Sequence, residues 1–153
     1  MDWLYGARLD IDKLSLEHFY ACYKFADQRR MIDFKNKIVD AIRAQYKKNT
    51  TYIHPYWLLH VHQKGLQGSR LHEFFLKSFV RGMFINQASY IDGGNLEDDL
   101  KFCLRDRNLS FEILQETLRY HRSPWFDPNS LEGCHYHDHS DGSFCGNKNK
   151  EKK

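Results

Sequence analysis

Between residues 14 and 26 a helix would have almost no face that suits water. Leu14, Leu16, Phe19, Tyr20, Ala21, Cys22, Tyr23, Phe25 and Ala26 are interrupted only by Ser15, Glu17, His18 and Lys24. A helix that is apolar all round has to be covered all round, so the segment predicts the centre of a helical domain rather than a surface element. Asp27 to Arg30 break it, and Met31, Phe34, Ile38, Ile42 and Tyr46 then recur at spacings of three and four. That is the period of an amphipathic helix, with Asp33, Lys35, Lys37, Asp40 and Arg43 expected on a solvated opposite face. The pair identifies a scaffold rather than a reaction.

The rest of the chain repeats the helical period. Ser15 supplies a start signal for the first helix, and His54-Pro55 opens another in which Trp57, Leu58, Val61 and Leu66 are apolar and Gly65 and Gly68 close the run. From Ser69, Leu71, Phe75, Phe79 and Met83 recur every four residues, widened by Phe74, Leu76, Val80 and Phe84 into a second core helix. Asp92-Gly93-Gly94-Asn95 is turn chemistry, with Asn95 expected to cap a short helix carrying Leu96, Leu100, Cys103 and Leu104. Ser110 is expected to cap the last helix, with Phe111, Leu114 and Leu118 on its buried face and Pro124 as its stop. No long alternation of apolar and polar residues occurs, so the expected fold is all-α, an irregular bundle of about six helices.

At 153 residues, with eleven Phe and nine Tyr, the chain has the size and the aromatic content for one packed domain. Of the formal charge of +3, an excess of three comes from residues 146 to 153, where four lysines face one glutamate. The body is therefore neutral and has no basic face to track a phosphate backbone, so nucleic-acid binding by it is not expected. No apolar run reaches membrane-spanning length, and the start lacks a leader pattern, so a cytoplasmic or nuclear location and no membrane partner are expected. In such a reducing setting Cys22 and Cys103 read as buried thiols rather than as a disulfide.

The one constellation with chemical content is Cys134-x-x-His137-x-His139-x5-Cys145. Two thiolates and two imidazoles are a standard tetrahedral set for structural zinc, and a single turn can present the first two. Gly133, Gly142 and Gly146 permit tight turns, and Asp138 or Asp141 is placed to orient an imidazole. Four protein ligands would leave no open position, so such a site would staple the segment rather than catalyse. The competing reading is a polar, His-rich tail that contains two cysteines by chance, and His-x-His is not the common finger spacing. His135 is the substitute should His139 fail. Elsewhere, His60 and His62 lie two apart on a helix and do not face each other, while His18, His54, His72 and His121 stand isolated. With no nucleophile beside a base and an orienter, neither an enzyme nor a small-molecule substrate is expected.

Trp3-Leu4-Tyr5, Tyr20-Ala21-Cys22-Tyr23-Lys24-Phe25-Ala26-Asp27 and Met31-Ile32-Asp33-Phe34-Lys35-Asn36 together resemble the C-terminal half of BTB/POZ domains, particularly the fungal ones. Those domains carry a tryptophan-leucine-tyrosine strand end and then a helix reading roughly Leu-x-x-x-Tyr-x-Phe-Ala-Asp-Lys-Tyr. Here Gln28 and Arg29 stand where that family favours lysine and tyrosine. Residues 55 to 122 are similar to the helical extension that follows the BTB fold. The resemblance implies a remnant strand or arm over 1–12 and a helical domain over 13–122, with closing helices at 13–48 and an extension at 54–122. A Cys/His-rich segment over 123–147 and a disordered basic tail over 148–153 complete the division. It also implies an adaptor-like protein-interaction module whose partner is another protein or a BTB-type chain, truncated because the family's dimer-forming strands would precede Met1. The alternative is a small zinc-stapled module that binds nucleic acid or regulates.

Overall fold

The computed structural model describes residues 14–49, 53–122, 127–131 and 134–139. The expected arm over 1–12, the stop at Pro124, Cys145 and the basic tail lie outside the described residues. Among those described, six α-helices and no strand form an irregular bundle, as the periodicity required. They are α1 (Leu16–Gln28), α2 (Ile32–Asn49), α3 (Pro55–Val61), α4 (Arg70–Ile85), α5 (Glu97–Cys103) and α6 (Arg107–Arg122).

Ser15 caps α1 as expected, its hydroxyl accepting from the His18 amide, and Ser69 does the same for α4 through the His72 amide. Between α1 and α2 the chain reverses through Arg30 in a left-handed conformation (φ 53°), with Met31 N–H donating to Ala26 C=O and Arg30 N–H to Asp27 C=O. This is the hydrogen-bond pattern of a Schellman ending with arginine where glycine is usual. It folds α2 back along α1, and the two helices pack as a pair.

The second group is built on α4, which packs against α3 and α6, while α3 also packs against α5. A π-type turn, His62–Leu66, continues α3, and Gly65 (φ 82°) turns the chain there before α4 begins. Only glycine adopts that conformation at no steric cost. Tyr46 of α2 meets Phe74 of α4 edge to face, and Tyr20 of α1 meets His60 of α3, so aromatic contacts join the two groups. Phe19, Tyr23, Ile38, Ile42, Leu58, Leu71, Phe74 and Phe79 are buried in the resulting core.

Four local expectations are corrected. α1 is not enclosed: only Phe19, Tyr23 and Ala26 are buried, while Ala21 and Phe25 face solvent, because α1 lies at the edge of the bundle against α2. Asn95 does not cap α5; the helix starts after Leu96 without a side-chain cap, and Glu97 instead accepts from the Gly93 amide at 2.6 Å. Ser110 lies inside α6, whose first turn is capped by Asp106 Oδ1, accepting from the Asn108 and Leu109 amides. α6 also turns a different face to the bundle from the one expected: its buried residues are Leu109, Ile113, Glu116 and Tyr120. Phe111, Leu114 and Leu118, expected in the core, are instead 58%, 54% and 58% exposed.

Candidate metal centre

The supposedly solvated face of α2 is where residues 134–139 dock. Lys35 is only 8% exposed, with its ammonium donating to Asp27 at 2.7 Å and to Asp138 at 2.9 Å. Burial pulls its pKa down, but the hydrogen bonds it donates to the two carboxylates outweigh that and hold it above the ordinary lysine value. The next residue, Asn36, brackets the Asp138 backbone, accepting from its N–H at 2.8 Å and donating to its C=O at 3.1 Å. Asn36 thereby completes for this extended segment the two hydrogen bonds that a strand would find in a sheet.

Tyr136 anchors the segment. Its ring is fully buried, edge to face with Phe74 of α4 at 5.2 Å, and lies between the Arg43 guanidinium at 5.2 Å and the Lys77 ammonium at 5.8 Å. Cations over an aromatic face add to the burial of the ring itself. Arg43 also donates to the Leu131 carbonyl. Burial raises the Tyr136 phenol pKa, keeping the ring neutral between its two cations.

Around this anchor the His137 amide donates to the Cys134 carbonyl at 3.0 Å, closing the turn that the Cys-x-x-His spacing required. Ligand atoms of Cys134, His137 and His139 lie within 4.8 Å of one another. Zinc bonds of about 2.0–2.3 Å span tetrahedral edges of roughly 3.3–3.8 Å, so the three converge on one point to within a small side-chain rotation. The fourth expected ligand, Cys145, lies outside the described residues. The orienting carboxylate is not Asp138, which is engaged by Lys35, but Asp40 of α2, whose Oδ2 lies 2.9 Å from His137 Nε2. That contact orients the His137 imidazole, as an outer carboxylate orients a ligating histidine. No spacing rule links Asp40 to His137 across 97 residues, so the sequence carried no signal for it. His135, the expected substitute, turns away toward α4, with Nε2 3.5 Å from Glu73 and 3.4 Å from Lys77.

Three other histidines divide into one bland case and one pair. His60 packs among Tyr20, Tyr56 and Trp57, as an unremarkable aromatic neighbour would. His62 and His72, expected apart, are both buried with Nδ1 and Nε2 3.3 Å from each other, because the turn at Gly65 brings the start of α4 back beside the end of α3. No helix among the described residues is long and apolar enough to cross a membrane. No protein-family model matches the chain, and neither a curated protein nor a solved structure does.

Proposed function

We propose that the protein is a non-enzymatic interaction module, an adaptor-like scaffold that presents the outer face of α6 to an amphipathic helix of a different protein. The observation that carries this is the inversion of α6. Its more apolar stripe, Phe111, Leu114 and Leu118, faces solvent, while the bundle takes the stripe that contains Glu116. Residues at i, i+3 and i+7 form one continuous strip, the anchor spacing of helix-in-groove recognition. Arg107 and Arg122, each four residues beyond an end of the strip, extend the same face with positive charge. Pairing two copies through this strip would set arginine against arginine, Arg107 on Arg107 in a parallel pair and Arg107 on Arg122 in an antiparallel one. A partner helix with acidic flanks removes that repulsion.

A displayed library of helical peptides, varied in apolar stripe and flanking charge, tests this directly. Selection should enrich peptides with acidic flanks, and Leu114→Asp should abolish their binding while leaving the circular dichroism spectrum and the oligomeric state unchanged. Enrichment without flank preference, or binding that Leu114→Asp leaves intact, would overturn the reading.

The turn at 134–139 belongs to the same proposal as a structural zinc staple. It holds residues 134–139 against α2 and α4, and the module works in the reducing cytoplasm or nucleus, where Cys134 stays reduced and able to bind metal as a thiolate. Cys134→Ser is expected to lower the zinc content of the purified protein by one equivalent, by elemental analysis, with an unchanged helical signal. Unchanged zinc content would remove the staple. BTB-type adaptors, which the closing helices resemble, are the class in which this role would sit.

A further inference from the structure

His62, His72 and Glu112 come from three different elements, the turn after α3, α4 and α6, and meet in the interior of the second helix group. His62 Nδ1 lies 3.3 Å from His72 Nε2 and 3.9 Å from Glu112 Oε2, and His72 Nε2 lies 3.5 Å from the same Glu112 oxygen. The circle through three points at these separations has a radius of about 2.1 Å, the length of a zinc bond to nitrogen or oxygen, roughly 2.0–2.2 Å. A tetrahedral ion with such bonds sets its ligands about 3.3–3.5 Å apart, whereas an octahedral one needs about 3.0 Å. The observed spacing favours the tetrahedral case, with the longest edge closing by a few tenths of an ångström.

We propose that His62, His72 and Glu112 bind a divalent transition-metal ion, zinc by preference, with its fourth position open to the adjoining cleft. Three features of the surroundings support it. Glu112 Oε2 is buried without a hydrogen-bond partner, a costly state for a carboxylate oxygen that a cation would relieve. His62 Nε2 lies 3.4 Å from Asp106 Oδ1, a carboxylate that can accept its N–H and so orient the ring from outside, as in ligating histidines. His72 and Glu112 border a cavity of about 280 Å³ that also touches Gly68, Glu73, Lys77 and Gln115, giving the ion an entry path and room for a water or small anion. A histidine pair joined only by its own hydrogen bond explains the 3.3 Å contact but leaves the Glu112 oxygen stranded. Two imidazoles and one carboxylate fill three positions of a tetrahedral ion and leave the fourth for a water or small anion. The site shares no ligand with the Cys134 turn.

The test uses the full chain carrying Cys134→Ser and His139→Ala, which disable the turn. After stripping with a chelator, this protein should bind one equivalent of Zn2+ in competition with a chromophoric chelator. Its cobalt(II) form should show visible ligand-field bands without a thiolate charge-transfer band. Adding Glu112→Gln or His72→Gln should weaken binding by at least about a hundredfold, since loss of an outer-shell partner alone costs about 10–100-fold. Failure of the double variant to bind zinc, or equal affinity after Glu112→Gln, would overturn the assignment. Glu112→Gln is nearly isosteric and its side chain reaches the surface, so it decides the matter even where His72→Gln disturbs folding.

Discussion

Phe74→Ala is expected to cost about 3–5 kcal/mol in urea unfolding, the range for deleting a fully buried phenylalanine ring. At this chain length that corresponds to a loss in Tm on the order of 10 °C. Phe74 is chosen because it touches both Tyr46 of α2 and Tyr136 of the docked segment, so its loss opens a cavity where the two helix groups and the Cys/His turn meet. Phe19 and Phe75, also buried, belong to the same range. The informative control is Leu118→Ala. The sequence pattern places Leu118 in the core and the structure places it outside, so its truncation should stay within about 0.5 kcal/mol. A large cost at Leu118 with a small one at Ile113 would mean that α6 packs in the opposite phase.

Acidification of the metal-free protein should produce the second large effect. Burial, and then repulsion from His62, hold the His72 pKa down to about 4 in the folded state, whereas an unfolded histidine titrates near ~6.5. The folded state therefore binds fewer protons than the unfolded chain between those values, and stability is complete above pH 6.5 and falls as pH drops toward 4. The full difference is about 3 kcal/mol, from roughly 1.4 kcal/mol per pKa unit. His62, Glu112 and, across the cleft, Glu73, Lys77, Glu116 and Arg119 are the titratable groups facing this ring. His72→Gln should flatten the profile in that window when stability is followed by chemical unfolding in the presence of a chelator. A profile with the same slope in His72→Gln would place the linkage on another group.

The contrast between Phe74 and Leu118 shows how a periodic reading succeeds and fails. In α4 the apolar residues occupy one broad stripe with no rival face, so Leu71, Phe74, Phe75, Phe79 and Val80 are buried as expected, with Leu76, Met83 and Phe84 partly exposed at its margin. In α6 two stripes compete. Leu109, Ile113 and Tyr120 lie on one face, Phe111, Leu114 and Leu118 on another, and hydrophobicity alone favours the second. The packing of α6 on α4 buries the first. α1 errs in the same direction: being apolar all round does not enclose a helix when the bundle has only enough surface to cover one side of it.

The candidate metal turn divides in the same way. Cys134, His137 and His139 were legible because their ligand spacing is local, a property of one turn. Asp40, Asn36 and Lys35, which hold that turn in place, read as a solvated charged face, since nothing in a helical period distinguishes a residue waiting for solvent from one waiting for a segment a hundred positions away. The cluster of His62, His72 and Glu112 is the extreme case, three lone residues with bland local surroundings that the turn at Gly65 and the packing of α6 on α4 bring to one point.

By itself, then, the sequence determined the all-α class, the cap at Ser15, the central apolar stripe of α4 and the closure of the Cys134 turn. Each depends on interactions within a few residues, where spacing fixes distance. Only the tertiary structure decided which stripe of α6 faces water, which polar side chains of α2 are buried, and which histidines meet. Those outcomes depend on side chains distant in sequence competing for one limited buried surface, a competition settled by packing and not by periodicity.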